Sequence, residues 1–446
     1  MRSVFSLHAP FLSLCIALPI VPLISRALTE GDYTYTTNAA GQATITGFPI
    51  SFAGALSIPN TLGGCPVTTI GYSAFGRCDH MTTVSIPNSV RIIGECAFEH
   101  CLNLTSITIP AGVTEIGMEA FASCLRLPSI NIPASVTNIG IKICSSCPEL
   151  TQITVDLSNP TFCSSNGVLF TKACDNLLQY PPGKQAGSYT IPESVIRINE
   201  SAFGTCKQLT HIVIGSNVVS IGKSAFDYCQ NLSAITMAYG VISIGDSAFA
   251  HCIGLASATI SASVTSIGPR AFSSSGLTHI TIPDSVTNIG DFAFASCAHL
   301  TRVKIGTNAT TLGINVFGKC GSLTGVLFEG NTPNDDTDTF YSCPGTVTVY
   351  YLPGTTGWGD TFGGRPTLCW NPTVQNNVDF GFAADRFGFN VVGTTNIPVV
   401  VEATTNLSSG SWTPLLTNTL GTSGLLYFSD PSSTNKPVRF YRIAWP

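Results

Sequence analysis

The sequence predicts a solenoid: parallel β-strands joined by short helical turns on a 23-residue period, followed by a small β-sandwich-like domain. Three observations predict it. Phenylalanine and cysteine return together every 23 residues, from Phe75–Cys78, Phe98–Cys101 and Phe121–Cys124 to Phe294–Cys297, Phe317–Cys320 and Phe340–Cys343. The unit between them reads Ile-Gly-x-x-Ala-Phe-x-x-Cys-x-x-Leu-x-x-Ile-x-Ile-Pro-x-x-Val-x-x. A fixed period of this length means stacked units, each too small to bury its own apolar face. From Asn371 the period is gone, and short turn-bounded strand candidates such as Ile397–Ala403 and Leu425–Phe428 take over.

The N-terminus has the layout of an export signal. Arg2 supplies a positive charge, and Phe11 to Ile24 is a mostly apolar stretch of 14 residues, too short to span a bilayer. Ser25-Arg26-Ala27 offers a cut after Ala27, making residues 1–27 the expected signal peptide. A lipoprotein signal at Cys15 is the rival, disfavoured by bulky Leu14. Residues 28–70 read as an N-terminal β cap and first irregular unit, with a hairpin across Asn38-Ala39-Ala40-Gly41.

Residues 71–370 are the repeat array. In one unit, Leu104, Ile107 and Ile109 lie on and beside a strand; a regular strand is expected to turn Ile107 and Ile109 opposite ways, so Leu104 and Ile109 are expected to reach the core through bends beside inward Ile107. Pro110 ends the strand, because it has no N–H to donate. Val113 and Ile116 turn inward on a second extended stretch, and Gly117 is expected to permit a sharp turn. Ala120, Phe121 and Cys124 have the spacing of a single helical turn. Two irregularities stand out. Ile143-Cys144 replaces Ala-Phe, and the step from Gly140 to Asn199 is 59 residues, one period plus an insert. The insert, about 156–190, reads as strand–turn–strand. A terminal cap of about 344–370 follows, with Trp358 and Phe362 covering the open end. Residues 371–446 form the C-terminal β-domain.

Units such as Ile221-Gly222-Lys223-Ser224-Ala225-Phe226-Asp227-Tyr228-Cys229-Gln230-Asn231-Leu232 resemble the BspA-like class of leucine-rich repeats. Gly-Val-Leu-Phe followed by Tyr-Pro-Pro-Gly-Lys at residues 167–184 is similar to an element recurring in that class. The resemblance covers about residues 55–370. It implies a right-handed leucine-rich repeat solenoid in a secreted or surface protein engaged in adhesion or protein binding. The shared motif is structural throughout.

Composition narrows the function. Charged residues are 10% of the chain against about 25% in typical soluble proteins, and the net charge is −5. With no basic stripe to neutralise phosphates, nucleic acid is excluded as a partner. Of 17 cysteines, ten occupy the repeat position from Cys78 to Cys343. Equivalent Cβ atoms on adjacent units sit about 4.8 Å apart, beyond the roughly 3.5–4.5 Å a relaxed disulfide prefers, so these thiols are expected free. Cys163 and Cys174, sharing the inserted loop, are the one pair considered for a bond.

No catalytic, cofactor-binding or metal site emerges. His211 and His279 share an outward position three units apart, about 14–15 Å, too far for one metal. His80, His100, His251 and His299 read as solvated residues on the turn side. Gly313 to Cys320 nearly spells a phosphate-binding loop, but its last residue is wrong and its apolar positions match the repeat. The outward strand positions, including Thr105/Ser106/Thr108, Thr210/His211/Val213 and Thr301/Arg302/Lys304, form the expected contact face. The leading expectation is a non-enzymatic secreted or cell-surface protein that binds an extracellular protein or surface glycan and does not span the membrane. The alternative is an envelope-attached spacer anchored by its C-terminal domain. A hydrolase lacks a catalytic set, and an ice-binding array is interrupted by His211, Val213, Arg302 and Lys304.

Overall fold

The computed structural model describes residues 27–185, 187–334, 338–383, 386–433 and 438–446. Residues 1–26 of the expected signal segment lie outside them. Each repeat forms one rung of a β-solenoid. Strand Ser106–Thr108 lies parallel to His80–Ser85, with Val84 opposite Ile107. The second short strand, Glu115–Ile116, is sandwiched between Ile92–Ile93 and Asn138–Ile139. Leu104, Ile107, Ile109, Val113 and Ile116 are all buried. Ile109 thus reaches the core as expected, but no bend is required to bring it there beside Ile107, because residues two apart on a strand share a face.

The expected helical turn around Ala120–Cys124 is not helical. It is a pair of tight turns, with Glu119 at φ 55° and Ser123 at φ 59° in the left-handed region. The Phe121 and Ser123 N–H groups donate to Ile143 and Ser145 of the next rung, each at 2.8 Å. A continuous helix would spend those donors within its own turn; here they form a third ladder along the stack. Among the described residues there is no α-helix; the 3-10 turn Leu407–Ser409 lies outside the repeats. Gly117 also serves a different purpose from the one expected. A Cβ there would meet the Glu95 backbone nitrogen at 2.5 Å, and its φ is not positive. It is required for close approach between rungs and not for turning.

The phenylalanines form a spine. Ring centroids of Phe75, Phe98 and Phe121 lie 5.2 and 5.8 Å apart with planes within 9° of parallel. Cys144 takes the next position and interrupts the stack; Tyr180 resumes it, 5.0 Å from Phe203, and it continues to Phe340. The ladder cysteines are partners of this spine. Cys101, Cys124, Cys229 and Cys252 each donate to the carbonyl of the phenylalanine one rung back, at 3.1–3.3 Å. Each of these carbonyls also accepts the backbone N–H three residues on, such as Cys206 N–H to Phe203, so the thiol fills the second acceptor position of a buried oxygen. All sixteen described cysteines are free.

The insert explains the long spacing. Phe162–Ser165, Val168–Thr171 and Asn176–Gln179 form an antiparallel meander turning at Asn166-Gly167, both at positive φ. Asn176–Gln179 then pairs in parallel with Arg197–Ile198, so the meander re-enters the second sheet and Tyr180 supplies the missing ring. Leu169 packs into the core of the preceding rungs, while Val168 and Phe170 pack into that of the following ones.

Both ends of the array are covered. Tyr33–Thr37 and Ala43–Gly47 form an antiparallel pair whose second strand joins the second sheet, and Phe48 lies 5.2 Å from Phe75. At the other end Trp358 lies 5.2 Å from Phe328 and 5.5 Å from Phe362. Two antiparallel sheets follow, centred on Arg386–Val392 and Pro398–Thr404. Their core of Phe389, Val391, Val399, Val401 and Phe428 closes over Leu327 and Tyr350. These two residues stand in the outward column that carries Lys304 two rungs before Tyr350.

Candidate functional site

The longer strands of the rungs form the expected contact face. Alternation along each strand directs every second side chain outward, and parallel register places equivalents in columns. His211, Ala234 and Ser257 form one column, and Val213 with Thr236 the next. Ser106, Thr108, Ser129, Asn131, His211, Val213, Thr236, Ser257, His279 and Thr281 are exposed as expected. His211 and His279 are not brought together; each ring nitrogen meets the neighbouring threonine hydroxyl at 3.0 Å.

Part of the expected face is already committed. Thr105, Ser233, Thr301 and Thr324 donate their hydroxyls to carbonyls of the preceding rung at 2.9–3.0 Å, Thr301 to Thr278 for example. These hydroxyls extend the ladder and are not free donors. Arg302 and Lys304 also leave the open face. Arg302 lies 5.4 Å over the Trp445 ring of the C-terminal sheets, and Lys304 is paired with Glu329 at 2.8 Å. The open part of the expected face therefore ends at the rung of His279–Ile282. The inserted meander divides it upstream, because Gln152–Val155 and Ser188–Thr190 belong to different sheets.

Sequence reasoning missed an apolar column just before the strands of the second sheet. Ile196, Val219 and Ile242 are 45%, 40% and 47% exposed on three successive rungs. The signal was present: the three residues are 23 apart, while Thr265 holds the next position. His80 opens the strand His80–Ser85 and is not on the turn side. His251 is on that side but not isolated. Its ring stacks on Tyr228 at 4.1 Å and its Nδ1 lies 2.9 Å from Asp227. Burial pushes the Asp227 carboxyl up, and the His251 contact opposes that shift.

One cluster has metal-ligating chemistry. The donor atoms of Cys96, Glu99 and Glu119 lie within 4.8 Å of one another. Burial, then the charge of Glu99, pushes the Cys96 thiol up to about 12, so it stays protonated at neutral pH. It points to Glu119 at 3.9 Å, and Lys142 sits 3.7 Å from the same carboxylate. Cys96 and Lys142 both contact Glu119, and with a neutral thiol the two carboxylates and one ammonium leave a net charge of about −1. The Gly313–Cys320 segment forms the turns of a rung with Phe317 buried, and no helix follows it. Among the described residues no helix is long and apolar enough to cross a membrane.

Comparison with known proteins agrees with this geometry. Residues 52–168, 183–242 and 219–347 match the BspA type leucine rich repeat region, in six copies. The pneumococcal vaccine antigen PcpA is 19% identical, with a TM-score of 0.52 over 78% of this chain and 99% of that one, and shares the fold. A leucine rich cell surface protein from Faecalibacterium prausnitzii is 26% identical, covering 69% of this chain and 95% of its own, with a TM-score of 0.47. A leucine-rich repeat protein from Bacteroides ovatus is 25% identical over 73% of this chain and 99% of its own, with a TM-score of 0.38. No curated protein matches. The repeat period, the phenylalanine spine and the matched residues all agree: the chain belongs to the BspA-type leucine-rich repeat family.

Proposed function

We propose that this chain is a non-enzymatic extracellular or cell-surface protein that mediates protein binding or adhesion. The observation that carries the reading is the open strand face. Its columns expose Val213 and Thr236 on the sheet from Ser188–Thr190 to Ser257–Ala258, and Thr281 on the strand His279–Ile282 that opens the next sheet. A stack whose core grows rung by rung supplies an extended platform without needing a pocket. The test is retention of matrix proteins and surface glycans on the immobilised full chain. Val213→Glu with Thr236→Glu should lower retention at least tenfold while the circular dichroism spectrum stays unchanged. A chain that retains nothing across both panels overturns the proposal.

A second reading, an envelope-attached spacer, is favoured by one feature of the C-terminal sheets. Val378 and Phe382 are 99% and 72% exposed there. Removing residues 371–446 would uncover Leu327 and Tyr350, so point changes separate the readings more cleanly. Val378→Ser with Phe382→Ser should release the chain from the envelope fraction under the spacer reading and leave ligand retention intact under the first.

A further inference from the structure

We propose that Cys163 and Cys174 are an oxidation site, and that their disulfide clamps the inserted meander between the two halves of the solenoid core. The two Sγ atoms lie 2.9 Å apart. Cys163 sits on the strand Phe162–Ser165 opposite Phe170. Cys174 sits in the turn just past Val168–Thr171, held by its N–H bond to the Thr171 carbonyl at 2.9 Å. Strand pairing on one side and the turn on the other bring the sulfurs together before any bond forms. This sets the pair apart from the ladder thiols, which point at phenylalanine carbonyls of neighbouring rungs. Both cysteines are half-buried, so an oxidant can reach them.

The location gives the bond its effect. Cys144 breaks the stacked rings beside the insert, and the meander fills the gap. Phe162 and Leu169 belong to the upstream core; Val168, Phe170, Leu177 and Tyr180 belong to the downstream core. A covalent link between the first strand of the meander and the turn leading to its third fixes the piece that both cores grip. In the unfolded chain the same link closes a short loop and removes conformational freedom.

The reaction is a two-electron oxidation. Two S–H bonds break and one S–S bond forms. The electrons and protons pass to the disulfide of an oxidoreductase or of a small thiol, which leaves as two thiols. Such oxidants are the rule in secretory compartments. The inference does not depend on the binding reading above.

The test uses the full chain equilibrated with oxidised and reduced glutathione, then denatured and alkylated before and after reduction. After oxidation, peptides holding Cys163 and Cys174 should resist alkylation until reductant is added, while Cys229 and Cys252 react at once. Reductant should lower the melting midpoint of the wild-type chain by several degrees and leave that of Cys163→Ser/Cys174→Ser unchanged. Alkylation of both cysteines after oxidation overturns the bond. A bonded chain whose melting ignores reductant overturns the clamp.

Discussion

The Cys229 thiol donates to the carbonyl oxygen of Phe203, one rung back, at 3.1 Å. Both residues are fully buried, so that carbonyl has no water to turn to. That carbonyl also accepts the Cys206 N–H at 3.1 Å, so Cys229→Ala removes a second, weaker bond together with a buried sulfur and should cost about 0.5–1.5 kcal/mol. Urea unfolding measures it. A loss below about 0.5 kcal/mol would mean that the thiol serves only as filler.

The spine predicts a sharp contrast within one rung. Phe226 lies 4.7 Å from Phe203 and 5.0 Å from Phe249. Phe226→Ala should cost about 3–5 kcal/mol and broaden the melt, since neighbours fixed by their own stacking cannot collapse into the gap. Thr236, exposed on the strand face of that rung, should tolerate Ala within about 0.5–1 kcal/mol. Indistinguishable melting curves for the two variants would show that the spine does not carry the stack.

Glycine scanning should separate spacing from flexibility. A Cβ at Gly245 would meet the Gly222 carbonyl carbon at 2.7 Å and the Ile221 oxygen at 2.8 Å, both backbone. Gly245→Ala must push two rungs apart and should cost several kcal/mol, about the scale of overpacked cores. Gly321 has nothing within 4 Å and no positive φ, so Gly321→Ala should be neutral or stabilising by about 0.4–1 kcal/mol. Equal unfolding midpoints for the two would contradict the close approach.

The buried thiols predict an alkaline limit. Burial raises Cys78 to about 11 and Cys96 to about 12 from 9.0, and pushes Cys101, Cys206, Cys229 and Cys252 up as well. The folded state binds protons more tightly than the unfolded chain. This contribution is complete below the unfolded value of 9.0 and is lost as pH rises through the folded values. Thermal melts should be flat in this respect from neutrality to about pH 9 and fall steadily by about pH 11. An unchanged midpoint over that alkaline interval would count against burial of the thiols.

Much of this architecture was legible because its determinants are side chains. Phe75 to Phe340 and their cysteines mark each rung, and Ile143-Cys144 marks the break in the ring stack. The turn that carries them was not legible. Ala120, Phe121 and Cys124 have a spacing that a helical turn and a pair of tight turns share. The deciding feature is the left-handed backbone at Glu119 and Ser123, where neither residue is glycine or asparagine and composition gives no warning. Gly117 was read by its usual conformational role, while its neighbour across the rung is what excludes a side chain. The docking of the C-terminal sheets did leave a trace in Leu327 and Tyr350, apolar residues in a column otherwise polar and charged. Their significance depends on a partner surface about 40–120 residues away in sequence, which periodicity does not address.

Closure at both ends makes the separation of the two termini a counted quantity. The N-terminal hairpin meets the array through Phe48 and Phe75, and the C-terminal sheets meet it through Leu327 and Tyr350. Neither junction involves a middle rung such as that of Phe226 or Phe249. Losing or duplicating one whole period there would shift the ends by one strand spacing, about 4.8 Å, and leave both junctions as they are. Reach can thus be adjusted in discrete steps by gain or loss of whole repeats that share one frame, with no new interface required at either end.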